Sequence, residues 1–449
     1  MGEHELLDRL SPLDLSNLRV EERGLPMHVA ALAILDHAPP SLTVLQGIVE
    51  RRLHRAPRLH QVLYRPQPGL GPPVWVDDPS FDVRAHVRAR PVPEPRDEAA
   101  LLRLCAELNQ PPLDLSRPLW QMWLLTGLAD GRCGLLIRLH HVVADGIAAL
   151  GMLGAVLDPD SGPPVTDQPA WTPVPGVTAL AADQLGRLAR SLRHLAIRLS
   201  HPGALVALLR RSARQAAQLA REGRAPRVSL NVPVSSRRRL LLIRADLERA
   251  RAVAHAHGGT VNDVVLAAVA GGARSLLRSR GELRPGLVLK ASVAASVRDP
   301  SDRRAAGNRV GVMVVPLPAG EADPGQRLVT IAAATARRKR LPPYQPVGRL
   351  AQRWMAGVMS RQRLVNLLVS NLPGPAAPVR LGGARVLEMF QIGVVQGNLT
   401  VSVGVISYAG QLNFGIVADS AAVPDVGSFA GGVSDALAQL GVLVTAQSP

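Results

Sequence analysis

Two kinds of apolar spacing alternate along the first third of the chain. Short, strongly apolar runs such as Pro26–Leu35 and Gly134–Leu139 have the length of buried strands. Between them, Leu42–Arg55 places its apolar residues on one face of an amphipathic helix. The turn Ala129–Gly131, which contains Asp-Gly, predicts a hairpin between two strands. This alternation favours an α/β fold with mixed sheets and flanking helices. The other elements predicted here are strands at Pro72–Val76, Phe81–Val87 and Trp120–Leu128, and helices at Ala99–Asn109 and Gly146–Leu157.

A proline-rich break separates this part from a second alternating part. Asp158–Gly176 contains six prolines and two glycines, which is typical of a loop or linker. A new series of strands and helices begins at about Arg237. We therefore expect an N-terminal lobe at residues 1–165, a linker with helices at 166–230 and a C-terminal lobe at 231–449, with a ligand site between the lobes. In the second lobe, strands are predicted at Leu240–Arg244, Leu287–Val297, Val310–Leu317, Leu364–Val369, Val394–Ile406 and Leu412–Val417, and helices at Asp246–His257, Thr260–Leu277, Leu328–Lys339 and Val426–Leu440.

The linker contains a long helical pattern with one apolar and one basic stripe. It runs from Thr178 to about Gly223 and is interrupted at Pro202 and Gly203. It is either a connecting helix whose leucine face packs on a lobe, or a basic amphipathic helix that lies on a membrane or lipid-droplet surface, and the two interpretations are compatible. The apolar stripe consists of Leu185, Leu188, Leu192, Leu195 and Leu199, and the basic stripe of Arg187, Arg190, His194 and Arg198.

Composition narrows the class of protein. Of the 449 residues, 47% are apolar and 19% charged, which indicates a globular rather than a disordered chain. The net charge is +17, but only Lys290 and Lys339 among the 52 basic residues are lysine, so the arginines reflect a compositional bias as much as a binding surface. Aromatic residues make up only 3%, which argues against a nucleic-acid binder that stacks bases.

Cysteine content and hydropathy limit the cellular compartments in which we expect the protein. Cys105 and Cys133 allow one disulfide at most and exclude a cysteine-rich metal site. The charged N-terminus lacks the apolar core of a secretory signal, and no run of 18 apolar residues is present. We therefore expect a cytoplasmic protein that is soluble or peripheral on a membrane or lipid inclusion.

The strongest chemical signal is His140–Gly146, with the sequence HHVVADG. It follows an apolar strand and precedes a helical pattern, so the histidines stand at a rigid strand end. Histidine titrates near neutral pH and suits a general base. A metal site is disfavoured, because the sequence has no second cluster of His, Asp or Glu at ligand spacing. A purely structural histidine pair is an alternative. No Gly-x-Ser-x-Gly elbow occurs, so the histidine would activate a substrate's own hydroxyl or amine rather than a protein nucleophile.

This motif resembles HHxxxDG of the bacterial wax ester synthase/diacylglycerol acyltransferase family, a branch of the acyltransferases that resemble chloramphenicol acetyltransferase. The resemblance extends along nearly the whole chain in ordered blocks. It implies two lobes of the chloramphenicol acetyltransferase type with an active-site tunnel between them. The further blocks are Leu10–Asp14, Pro26–Val29, Pro112–Trp120, Thr260–Val264, Gly307–Arg309 and Ser370–Pro375.

The resemblance implies a reaction and its catalytic residues. The reaction is transfer of a long-chain acyl group from acyl-CoA, a substrate rather than a cofactor, to a diacylglycerol or fatty alcohol. His141 matches the general base, and His140 is expected to shape the turn or line the tunnel. Asp145, followed by Gly146, is expected to pair with Arg298 and to lock the two lobes together.

The roles of two further residues stay open, and two other functions are alternatives. Ser370 and Asn262 are candidates for stabilising the oxyanion or orienting substrate, although Asn262 can also serve the start of its helix. A condensation-type ester or amide synthase shares HHxxxDG, and a non-catalytic lipid-droplet protein would use only the linker helices. No residues that bind the CoA phosphates can be assigned, and the oligomeric state stays open.

Overall fold

The computed structural model describes residues 7–11, 14, 15, 18, 21, 27–36, 41–143, 154, 172–200, 203, 206, 210, 223–296, 310–339 and 362–444. These residues form two six-stranded sheets and one two-stranded sheet, with helices packed on them. The α/β class with mixed sheets and flanking helices is confirmed. The first half contains β1 (His28–Leu35), α1 (Leu42–Arg52), β2 (Gln61–Tyr64), β3 (Val74–Asp77), α2 (Val83–His86), β4 (Val87–Pro91), α3 (Glu98–Leu108), β5 (Trp120–Thr126), β6 (Cys133–His140) and α4 (Val177–Ser200). The second half contains β7 (Arg238–Asp246), α5 (Leu247–Ala256), α6 (Val261–Ser279), β8 (Leu289–Ser296), β9 (Val310–Leu317), α7 (Pro324–Lys339), β10 (Leu367–Pro373), β11 (Arg380–Leu381), β12 (Ala384–Ile392), β13 (Val401–Tyr408), β14 (Gln411–Asp419) and α8 (Val426–Gln439).

The first sheet has the strand order β11-β12-β1-β6-β5-β4. The predicted hairpin is confirmed, because β5 and β6 pair antiparallel. Strand β6 is buried along its whole length, as its continuous apolar run predicts. Its centre therefore lies between two apolar layers, and its end is fixed in position.

Strand β12 joins the two halves of the molecule. It comes from the sequence region assigned to the C-terminal lobe, yet it pairs antiparallel with β1 of the first sheet. The two sheets therefore do not follow the two halves of the sequence, while the boundaries at residues 165 and 230 stay a prediction. Glycines 404 and 415 make the crossing possible, because a side chain at either position would collide with the carbonyl oxygen of Gln391.

The second sheet has the order β7-β14-β13-β10-β8-β9 and packs on α6. Helix α6 is buried along most of its length, and it begins with a capping box in which the Asp263 side chain accepts from the N–H of Thr260. An ion pair ties this half to the other: Arg244 on β7 binds Glu98 on α3 and Glu388 on β12, each at 2.5 Å. No single described helix is long and apolar enough to cross a membrane; only α5 and α6 taken together reach that length and composition, and they meet at 95°.

Two sequence predictions differ most from this structure. Phe81–Val87 is not a strand: the Asp82 side chain accepts a hydrogen bond from Arg84 N–H and caps α2, so the strand begins only at Val87. Val394–Ile406 is not a strand over its whole length, because β13 begins at Val401. The residues before it form a turn in which Gly397 has a φ of +64°.

The contact between α6 and α8 tests this packing. A β-carbon at Gly272 would lie 2.5 Å from Val433 Cγ2 and 2.7 Å from the carbonyl oxygen of Phe429. We expect Gly272→Ala to lower the free energy of unfolding by about 1–3 kcal/mol, because the two helices must separate. Gly431→Ala is the matched control: at this exposed glycine on α8 a β-carbon would have no heavy atom within 4 Å, so the change should stabilise by up to about 1 kcal/mol. Urea unfolding of both variants measures the difference, and equal effects would contradict the packing argument.

Candidate active site

The site is built at the end of the β1–β6 ladder. The register places His28 opposite His140 as the last pair. His141 is the first residue beyond the strand, and its backbone N–H donates to the carbonyl oxygen of Met27 at 2.8 Å. Its side chain is half-buried, whereas His140 is fully buried. The strand end thus presents His141 from a rigid support, as a catalytic imidazole requires.

Hydrogen bonds fix the proton position on His140. Its Nδ1 accepts a hydrogen bond from the N–H of Val142 at 3.1 Å, so this nitrogen carries no proton. Nε2 then carries the proton and donates to Glu21 Oε2 at 2.5 Å. The ring therefore connects a carboxylate to the turn that follows His141. This geometry is compatible with the turn-shaping role expected for His140, which stays a prediction.

Glu21 also binds the second buried imidazole of the pair. His28 Nε2 lies 3.0 Å from Glu21 Oε1. Burial raises the pKa of the Glu21 carboxyl, but the hydrogen bonds from His140 and His28 outweigh it and lower the pKa to about 2. Burial lowers the pKa of His28, so this ring is neutral. The cluster is a carboxylate held by two imidazoles.

Arg138 extends this polar layer along β6. Its Nη1 donates to the carbonyl oxygen of Pro111 at 2.6 Å, and its guanidinium lies 5.1 Å from the centre of the Trp123 ring. Burial lowers the pKa of Arg138 to about 10. Its positive charge also helps to keep His28 neutral.

A small cavity between the two halves lies beside His28. Asn109, Arg238 and Gly393 contribute to its wall, and its water-accessible space is about 20 Å³. That space holds about one water molecule, not an acyl chain. Among the described residues, His28 Nδ1 and Asn109 Oδ1 are buried without a hydrogen-bond partner. The long tunnel between the lobes stays a prediction.

Ser370 lies on β10 and is tied to the crossing strand. The amide of Gln391 donates to Ser370 Oγ at 3.2 Å. Gln391 pairs with Ala31, which pairs with Ile137 of β6. Standard sheet spacings place the backbone of Gln391 roughly 16 Å from that of His141. The role of Ser370 in orienting substrate or stabilising the oxyanion stays a prediction.

Asn262 is the second residue of α6 and is half-buried. Its neighbour Asp263 is structural: it accepts from the N–H of Thr260 and from the hydroxyl of Thr335, each at 2.7 Å. The alternatives for Asn262 stay open.

Three candidate residues lie outside the described residues. They are Asp145, Gly146 and Arg298. The lobe-locking ion pair predicted for Asp145 and Arg298 therefore stays a prediction. Within the described part of the chain, no group of three or more His, Cys, Asp or Glu side chains is arranged to hold a metal ion.

Comparison of the chain with protein-family models identifies its family. The family model for the wax ester synthase/diacylglycerol acyltransferase catalytic domain matches residues 10–265, and the model for the C-terminal domain of that family matches residues 306–441. The chain belongs to this family. Its O-acyltransferase class is thereby established, and the resemblance based on HHVVADG and its companion blocks is confirmed.

Curated relatives and solved structures agree. A probable diacylglycerol O-acyltransferase of Mycobacterium tuberculosis is 32% identical over 455 residues, covering 97% of this chain and 96% of that protein. The wax ester synthase/diacylglycerol acyltransferase of Marinobacter aquaeolei VT8 is 27% identical, with a TM-score of 0.68, covering 96% of this chain and 98% of that one. A starter condensation domain of rhizomide synthetase is 16% identical, with a TM-score of 0.64 over 97% of this chain and 95% of that one, and shows the shared fold alone.

Glu21 is the member of the buried cluster with His140 and His28 that the sequence does not reveal. It lies 119 positions from His140, and no spacing rule connects the two. Only its place shortly before the Pro26–Val29 block hints at a role, and many surface glutamates have such a neighbour.

Proposed function

We propose that this family member transfers an acyl group from acyl-CoA to the hydroxyl of a diacylglycerol or a fatty alcohol, with His141 as the general base. The observation that carries this proposal is the position of His141. It is half-buried and directly follows a fully buried strand, and its main chain is bonded to the neighbouring strand. A base held in this way can meet a substrate without rearrangement of the fold.

The reaction follows from proton positions. The neutral imidazole of His141 removes the proton from the acceptor hydroxyl while that oxygen attacks the thioester carbonyl. The carbon–sulfur bond of the tetrahedral intermediate then breaks, and the departing thiolate takes the proton from the imidazolium. Such proton transfer contributes about 10²–10⁴ in rate. Ser370 and Asn262 would orient substrate or stabilise the oxyanion, and the reaction needs no cofactor.

The positive charge of the protein supports acyl-CoA as the acyl donor. The net charge of +17 is carried almost wholly by arginine, whose planar guanidinium suits phosphate groups. A basic surface raises the local concentration of the phosphate-bearing CoA.

Replacing the base tests the proposal. We expect His141→Ala to lower the rate of ester formation from palmitoyl-CoA by at least about 100-fold, with hexadecanol or a diacylglycerol as acceptor. Thermal unfolding should stay close to that of the parent. The matched control His255→Ala removes an exposed imidazole on α5 and should keep full activity. Full turnover by His141→Ala would refute the general-base assignment, and products separated by lipid class report which acceptor is used.

Helix α4 supports a second part of the proposal, binding to an anionic lipid surface. One side of the helix faces the protein, where Asp183 binds the buried Arg9 at 2.5 Å and Leu180 is 1% exposed. Leu185, Leu188 and Leu192 are 65%, 53% and 56% exposed. At about 100° per residue these leucines point away from the body of the protein. A leucine stripe flanked by arginines suits a surface of anionic headgroups and acyl chains.

Vesicle binding tests this surface. We expect Leu188→Ser combined with Leu192→Ser to reduce co-sedimentation with phosphatidylglycerol vesicles several-fold, because apolar area no longer enters the interface. Replacing Arg190 and Arg193 by Gln should weaken the same binding and its salt dependence. Arg187 is left intact because it binds Asp183 and the carbonyl oxygen of Leu7.

A double variant away from α4 is the control for this test. Val44→Ser with Val329→Ser removes exposed apolar residues of comparable exposure, 49% and 44%. Its binding should equal that of the parent. Unchanged binding of the α4 variants, or an equal loss in the control, would contradict the assignment of α4 as the lipid-binding surface.

A further inference from the structure

The main chain at His141 is held from both sides. Its own N–H donates to the carbonyl oxygen of Met27, the residue before His28. The N–H of the following residue, Val142, donates to the ring of His140. One of these hydrogen bonds ends next to His28 and the other ends on the ring of His140. Neither imidazole is the proposed base.

One carboxylate connects these two imidazoles. The two oxygens of Glu21 divide between them: Oε1 lies 3.0 Å from His28 Nε2 and Oε2 lies 2.5 Å from His140 Nε2. The Glu21 side chain is only 8% exposed, so water does not compete for these bonds. The two rings meet edge to face with centroids 6.0 Å apart.

We infer that Glu21 is a positioning residue for His141, which it orients through His140 and His28. The inference rests on the proposed function. Without an acceptor at Nε2, His140 could move its proton to Nδ1, which would then oppose the N–H of Val142. The turn would lose the hydrogen bond that fixes the residue after the base. Glu21 thus selects the ring form that keeps the turn in place, as a carboxylate does for a catalytic histidine in other enzymes.

The charge of Glu21 adds a measurable effect. His141 becomes an imidazolium during the transfer, and a buried carboxylate bonded to the preceding residue, His140, stabilises that positive charge. Among the described residues, the charged or titratable groups that face Glu21 are His28 on β1 and His140 and Arg138 on β6. Loss of the carboxylate charge leaves Arg138 without its opposing charge, so the pKa of His141 should fall.

Kinetics of Glu21→Gln in the full-length protein test the inference. The glutamine amide can accept from only one of the two imidazoles, and its NH2 group opposes the other. We expect kcat with palmitoyl-CoA and hexadecanol to fall about 10- to 100-fold, while KM for palmitoyl-CoA changes little, because the base is misplaced rather than the donor site. The acid limb of kcat/KM should move to lower pH by roughly 0.5–1 unit, since His141 stays deprotonated to a lower pH. A merely structural role would not move this limb.

Two variants separate charge from geometry. Glu21→Asp keeps the charge but is too short to reach both rings, so kcat should fall while the acid limb stays in place. Glu388→Gln is the matched control, because it removes another partly buried, ion-paired carboxylate, the partner of Arg244. It should leave kcat and the pH profile unchanged.

Each outcome decides between the inference and its alternatives. Wild-type kcat and pH profile in Glu21→Gln would overturn the inference, and so would wild-type kcat in Glu21→Asp. If both variants fail to fold, the carboxylate is only structural and the inference is likewise overturned. Absence of ester formation by the parent protein would instead refute the proposed function.

Discussion

The antiparallel pairing of β1 with β6 is the constraint on which the site depends. Its register places His28 opposite His140 and leaves His141 as the first residue beyond the ladder. A slip by one residue would exchange the two faces of β6, so the second histidine would enter the buried layer. The apolar layers on both faces of β6 oppose such a slip. Hydrophobic burial thus determines which of two adjacent histidines lies beyond the end of the ladder.

The connection between the two halves depends on the crossing of β12. This strand leaves the second half, passes over Gly404 and Gly415 and completes the first sheet beside β1. Arg244 strengthens the junction by binding carboxylates from α3 and β12. The strand next to the histidine-bearing ladder therefore belongs to the other half of the sequence. The junction between the two halves is therefore part of the first sheet itself.

Elements with a strong local pattern could be predicted from the sequence. Strand β6 has a continuous apolar run, and α6 has both a capping residue and an apolar face, so burial and local bonding agree. Strand β12 was missed because its alternation of exposed and buried residues is irregular. Helix α2 cannot be told from a strand in the sequence, because its four residues are too few to show a helical apolar pattern, and only the cap at Asp82 distinguishes it.

The candidate site, like the fold, has some residues that the sequence predicts and others that it does not. The position of His141 at a strand end follows from local sequence, since the motif directly succeeds an apolar run. Glu21 and Gln391 could not be found, because their bonds to His140 and Ser370 join residues far apart in the chain through the tertiary fold. Local periodicity carries no information on such contacts.

Acyl transfer by a base, without a protein nucleophile, is the central claim, and the order of product formation tests it most directly. The protein is mixed with palmitoyl-CoA alone, and hexadecanol or a diacylglycerol is then added while intact protein mass, free CoA thiol and ester are followed. The account predicts an unchanged protein mass, with thiol and ester formed in equal amounts only after the acceptor is present. A protein carrying the palmitoyl group, or thiol released without ester, would contradict it.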